Sequence, residues 1–182
     1  MKKFLIFIFF IYISNSGNAE EKLIGSLKDG QKIIFIRHAL APGSGDPENF
    51  NLNDCSTQRN LNQSGINQSS KIGSFFLENN IPIDKVLSSE WCRCKETAKF
   101  AFDKFETFNA LNSFYSKKFE KNKNKQIKDL KNYINQWDGK KNLILVTHYV
   151  VILEMINLTT SSGEIVIVDK KLNFIGRMEI NS

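Results

Sequence analysis

Lys32-Ile33-Ile34-Phe35-Ile36-Arg37-His38 is the stretch on which the fold turns. Residues 32–36 are short, β-branched and apolar, which suits a strand buried on both faces of a parallel sheet. The strand ends at once in Arg37 and His38. Two further runs read the same way: residues 85–88 and residues 142–147, the second followed directly by His148.

Between these strands the apolar period changes to that of helices. Residues 64–79 carry Ile66, Ile72, Phe75 and Phe76 on one stripe, with Ser64 or Asn62 as the cap, and Pro82 ends the pattern. A helix containing Arg93, Thr97, Ala98 and Ala101 follows the second strand, and another is expected within residues 125–137 on the spacing of Ile127, Leu130, Tyr133 and Ile134. A short helical run, 150–157, follows His148, and residues 163–168 and 173–180 alternate as a hairpin. The order β, α, β, α, α, β, α, β, β predicts an α/β fold, a three-layer α/β/α sandwich with a mostly parallel central sheet and an antiparallel C-terminal edge. Residues 41–59 have no apolar period and form a long loop, a class usually functional or disordered.

The N-terminus reads as an address. Lys2 and Lys3 precede ten apolar residues, 4–13, and a polar stretch then reaches Gly17-Asn18-Ala19. Ten residues fall short of the ~20 needed to span a bilayer. A signal peptide over residues 1–19, cleaved after Ala19, and a single domain over residues 20–182 are expected. Periplasmic or secreted localisation follows, with no stable membrane span after cleavage. Cleavage removes two lysines and no acid, lowering the formal charge from +6 to +4. No basic stripe interleaved with aromatics is present, which argues against nucleic acid as a partner.

Three strand ends deliver residues suited to phosphate: Arg37-His38, the turn before Arg93, and Thr147-His148. Ligands of open α/β sheets bind at the carboxyl ends of strands, so these ends are expected to share one pocket. Of 25 basic residues only Arg37, Arg59, Arg93 and Arg177 are Arg. In a chain so rich in Lys, Arg marks the places where a planar fork holds phosphate oxygens. His38 and His148 are the only histidines, each directly after a buried strand. Neutral imidazole is nucleophilic near pH 7, and adjacent cations discourage its protonation.

These residues resemble the histidine phosphatases, the phosphoglycerate mutase-like superfamily. Arg37-His38-Ala39 stands where the family has Arg-His-Gly, Ser89 to Ala98 matches its Ser, Arg and Thr-Ala motif, and Thr147-His148 matches its Ser/Thr-His. Arg59 to Gly65 is similar to the Arg-x-Leu-x-x-x-Gly segment of small members acting on protein phosphohistidine. Ala39 and Tyr149, each where family members carry Gly, mark a subfamily. The resemblance implies a phosphohydrolase with a phosphohistidine intermediate on His38, no metal and no cofactor. Arg37, Arg93 and His148 would hold the phosphoryl oxygens, Arg59 would be a further clamp, and Ser89 and Thr147 are expected to bind substrate. Asp46, on the loop leaving the first strand, is the first choice for protonating the leaving oxygen; Asp54, Glu90 and Glu164 are alternatives, and an Asp before Pro also serves turns. The expected substrate is a phosphomonoester or phosphoramidate, carried by a phosphorylated small molecule or an envelope component.

A catalytically weak phosphate- or phosphosugar-binding protein of the same fold is the competing reading. A serine hydrolase using Ser88 or Ser89 lacks the Gly-x-Ser-x-Gly elbow. Phe50, Trp91 and Tyr149 suit either the mouth of the pocket or the core. Among the three cysteines, Cys55 is able to pair with Cys92 or Cys94 in an oxidising compartment, or all three are buried small apolar residues. Oligomeric state has no signature in the sequence.

Overall fold

A computed structural model describes residues 16–180. The expected leader lies outside the described residues except for its last four, which begin a helix. Elements in chain order are α1 (Ser16–Lys28), β1 (Ile33–Arg37), α2 (Gln63–Glu78), β2 (Ile83–Ser88), α3 (Cys92–Phe102), β3 (Glu106–Thr107), α4 (Lys117–Glu120), α5 (Lys123–Gln136), β4 (Asn142–Thr147), α6 (Tyr149–Ile156), β5 (Ile165–Val168) and β6 (Phe174–Met178). Helix α1, the two-residue β3 and the single turn α4 are absent from the sequence reading. α1 has a weak apolar stripe, and β3 and α4 are too short to show a period.

The sheet order is β3-β2-β4-β1-β5-β6. β1 and β2 both run parallel to β4, β3 runs parallel to β2, and β5 and β6 add the antiparallel edge. The two central strands bury both faces, which is why β1 and β4 are apolar without alternation. Ile33 and Phe35 join Leu143 and Leu145 in one core with α5 and α6. Ile34 and Ile36 face the other way, with Ile144 and Val146, onto α2, α3 and Leu27 of α1. Each such wholly buried side chain contributes about 1.5–3 kcal/mol. The result is the expected three-layer sandwich.

α2 starts where Asn62 accepts a hydrogen bond from Gly65 N, 2.9 Å away, the capping role anticipated for that residue. Gly65 itself answers to packing, since a Cβ there would lie 2.1 Å from Leu40 O. The helix can therefore press against the chain just beyond β1. That contact sets where the loop between them begins and ends. Among the described residues no helix is long and apolar enough to cross a membrane.

Candidate active site

Hydrogen bonds between strand ends fix the floor of the site. Arg37 and Thr147 are register partners, His38 N donates to Thr147 O at 2.9 Å, and Ser89 N donates to Val146 O at 2.9 Å. Three segments distant in sequence thus finish side by side. Above them lies a cavity of about 460 Å³ whose lining includes Arg37, His38, Asp46, Arg59, Arg93 and His148.

His38 is buried, and its Nδ1 lies 2.8 Å from Ala39 O. A carbonyl only accepts, so Nδ1 carries the proton and Nε2 keeps its lone pair. Burial, then the charge of Arg93, and more weakly those of Arg37 and Arg59, hold the imidazole neutral far below its ordinary titration range; the Ala39 contact opposes them only in part. Ala39 sits without backbone strain: its φ is negative and its N–H is bonded to Thr97 Oγ1 at 2.9 Å.

His148 is equally buried, its Nε2 2.9 Å from Ser89 Oγ and 3.4 Å from Cys94 Sγ. Its pKa is also driven well down, by burial first, then by Arg93 and His38. The two rings meet edge to face with centroids 5.5 Å apart. Cys94 beneath them is a free thiol pushed up to about 12 by burial, so it packs as a small apolar residue rather than a nucleophile.

The arginines are held individually. Arg37 donates from one terminal nitrogen to Thr160 O at 2.5 Å, and its guanidinium carbon lies 5.4 Å from the centre of the Tyr149 ring. Among the described residues its buried Nε has no partner, and neither has the buried Nε of Arg93. Buried N–H groups left without acceptors are costly, and both belong to residues lining the cavity. They suit the anion that would supply two acceptors. Arg59 donates from Nε to Gly45 O at 2.8 Å and from a terminal nitrogen to Ala41 O, so it fastens the loop while facing the same cavity. Burial lowers the pKa of Arg37 and Arg59 without threatening their charge.

Asp46 is placed differently from expectation. Its carboxylate accepts from both terminal nitrogens of Arg93, at 2.7 and 3.2 Å, from Trp91 Nε1 at 3.1 Å and from Arg59 N at 3.2 Å. Burial raises its pKa, but the hydrogen bonds and charge of Arg93, with Trp91 and Arg59, outweigh that and leave it lowered. A carboxylate saturated by four donors is ionised and has no proton to give. The other anticipated acids are also committed: Asp54 caps a 3-10 turn through Ser56, Glu90 accepts from Asn112 Nδ2, and Glu164 accepts from Ser161 N and pairs with Arg177. Glu48, overlooked in the sequence, lines the cavity and has no hydrogen bond or ion pair among the described residues.

Ser89 and Thr147 do not line the cavity. Ser89 is wholly buried against His148 and Asn112, and Thr147 Oγ1 donates to Leu111 O at 2.6 Å. The first orients His148; the second faces the core, with its hydroxyl already spent. Phe50, Trp91 and Tyr149 all contribute to the cavity wall, and Ser113, Tyr115 and Lys118, which no motif announced, are among its other lining residues. The cysteine alternatives resolve as a Cys55–Cys92 disulfide with Cys94 free.

Neither a family model nor a curated protein matches the chain. Solved structures do. The chain is similar to the protein histidine phosphatase SixA complexed with tungstate, at 15% identity and TM-score 0.61, over 81% of this chain and 96% of that one. It is also similar to a putative alpha-ribazole-5'-P phosphatase from Escherichia coli at 16% identity and TM-score 0.58, over 84% and 97%. A phosphoglycerate mutase from Thermus thermophilus matches at 12% identity and TM-score 0.57, over 82% and 99%. The fold is that of the histidine phosphatases.

Proposed function

We propose that the chain is a phosphohydrolase of the histidine phosphatase family, acting through a phosphohistidine on His38. The observation that carries this is the placement of His38: Nδ1 lies 2.8 Å from Ala39 O, a contact that calls for the proton on Nδ1 and leaves the Nε2 lone pair for a cavity lined by three arginines. In the first step Nε2 forms a bond to phosphorus while the bond to the leaving group breaks. Arg37 and Arg93 offer their unpaired Nε–H groups to the transferring oxygens, and Arg59 adds charge. His148 Nε2 lies 2.9 Å from Ser89 Oγ, whose own proton goes to Asn112 Oδ1, so Ser89 holds the ring in place beside His38 at the cavity. Glu48 protonates the departing oxygen and, as carboxylate, takes the proton of the water that later attacks phosphorus. The nitrogen–phosphorus bond then breaks, Nε2 recovers its lone pair, and phosphate leaves. Fixed charges aimed at the transferring group account for catalysis by positioning and electrostatics.

Phosphomonoesters and phosphoramidates are the substrate class. Since the nucleophile is the protein's own imidazole, no metal hydroxide is called for. Export to an oxidising compartment is part of the same reading, supported by the leader-like residues 1–19 and by the Cys55–Cys92 disulfide. The decisive experiment measures p-nitrophenyl phosphate hydrolysis in chelator, with acid-quench trapping of phosphoenzyme. Expected are turnover unaffected by chelator, phosphate trapped on His38, and a loss of at least about 10⁴-fold in His38→Ala. Phosphate binding with no trapped phosphoenzyme would replace this reading by that of a binding protein.

A further inference from the structure

Behind the phosphate cavity lies a second one of about 330 Å³, and the two share Phe50, Trp91, Ser113 and Phe119. The three aromatic rings form the partition: Phe50 stacks on Trp91 at 5.1 Å, and Phe119 meets both edge to face at 5.6 and 5.3 Å. Around that apolar wall the second cavity gathers Glu90, Asn109, Asn112, Asn122, Gln126 and Asp129. Gln126 is buried, its Nε2 donates to Asn109 O and Asn112 O, and its buried Oε1 has no partner among the described residues. An orphaned acceptor of that kind carries a desolvation cost that a ligand hydroxyl would relieve.

We propose that the second cavity is a sugar subsite, so that the substrate is a phosphorylated glycan of at least two rings, its phosphate in the first cavity and a neighbouring ring in the second. This rests on the phosphate reading above and extends it. A sugar ring has an apolar C–H face and a rim of hydroxyls, each both donor and acceptor. The aromatic partition fits the face, and amides and carboxylates fit the rim. Among the described residues the one cation lining this cavity, Lys125, is paired with Asp129 at 2.6 Å, and Glu90 adds a carboxylate. A second anionic group therefore finds no free charge here, whereas a neutral polyhydroxylated ring meets both partners it needs. A nucleobase, with few groups confined to one plane, matches the surrounding amides less completely.

The test uses the full chain with His38→Ala, which keeps binding separate from turnover, and follows tryptophan fluorescence because Trp91 borders both cavities. Glucose 6-phosphate, trehalose 6-phosphate, adenosine monophosphate and inorganic phosphate are titrated. The disaccharide phosphate should bind about tenfold more tightly than the monosaccharide phosphate. Adding Asn122→Ala should bring the two to within about threefold; Asn122 makes no side-chain capping bond to α5, so folding is spared. Equal affinities, tighter binding of adenosine monophosphate, or a ratio insensitive to Asn122→Ala would overturn the subsite. Phosphate binding with no disaccharide advantage overturns the subsite alone; no phosphate binding overturns the phosphate reading and this inference with it.

Discussion

The strand-end floor and the loop over it hold their functional groups by different means. On the floor, His38 and His148 follow strands whose backbone ladders set their positions, with Arg37 opposite Thr147 in register. In the loop, residues 41–59, side chains do the holding: Cys55 is bonded to Cys92, Gln58 Oε1 accepts from Cys92 N at 2.9 Å, and Asp46 grips Arg93. Gly43 and Gly45, at φ of +89° and +67°, let the loop bend where a side-chain-bearing residue would be strained. His38 thus sits on rigid backbone. Arg59 and Glu48 ride on a loop that side-chain bonds fix in place.

Arg93 is where the two regions meet, so replacing it should do the most damage. Arg93→Ala removes the guanidinium that lines the cavity beside His38 and, on the reading proposed above, should lower kcat/KM by about 10²–10³-fold. The pH profile should move as well. Arg93 is the leading charge that depresses both histidines, so its removal raises their pKa values, and the acidic limb of kcat/KM should shift to higher pH. In the wild type that limb should lie well below the ordinary histidine range, since loss of activity requires protonating buried imidazoles. Stability carries the same sign: as pH falls below about 6.5 the unfolded chain takes up protons that the folded histidines refuse, and the melting temperature should decline. A wild-type limb at the ordinary histidine pKa, unmoved in Arg93→Ala, would separate the clamp from the nucleophile.

Next in size is a contrast within the loop. Asp46→Asn loosens Arg93 and should cost about 10²-fold in kcat/KM whatever the leaving group, the scale of a misplaced catalytic contact. Asp46→Glu should restore part of it. With Glu48 as the proposed acid, Glu48→Gln should spare p-nitrophenyl phosphate and slow alkyl phosphates by about 10²-fold or more. If Asp46→Asn instead discriminates sharply by leaving group, Asp46 is the acid after all and leaves Arg93 during the cycle.

What was legible in the sequence follows the same division. β1, β2 and β4 show as apolar runs because both faces are buried, and their ends name Arg37, His38 and His148 directly. Arg93 and Arg59 show because Arg is scarce here. Loop residues depend on contacts made across long stretches of chain: Asp46 finds Arg93 47 positions away, and no spacing rule tells such a pair from an Asp beside a turn. Ser89 and Thr147 show as motif members, but burial alone reveals that one serves His148 and the other the core. Ser113, Tyr115 and Lys118 lie around the turn α4, too short to print a period. Reading the cysteines as a choice between pairing and burial was as far as composition reached, since Cys92 and Cys94 differ only in which way α3 turns them.

The smallest effect should come from cutting the loop's covalent tether. Cys55→Ser with Cys92→Ser opens a link across 37 positions and should cost about 2–4 kcal/mol of stability, read as the loss under reducing and non-reducing denaturation. Cys94, buried and protonated, takes no part and serves as the unreactive control. Activity should respond less than stability. Asp46, Arg59 and Gln58 still fasten the loop, so kcat should stay near wild type while KM rises severalfold as Asp46 and Arg59 are less often in place. A fall in kcat matching that of Asp46→Asn would mean that the disulfide, rather than the Asp46–Arg93 pair, sets the clamp. Unchanged KM would mean that the polar contacts hold the loop unaided, leaving the disulfide to stabilise the fold by constraining the unfolded chain.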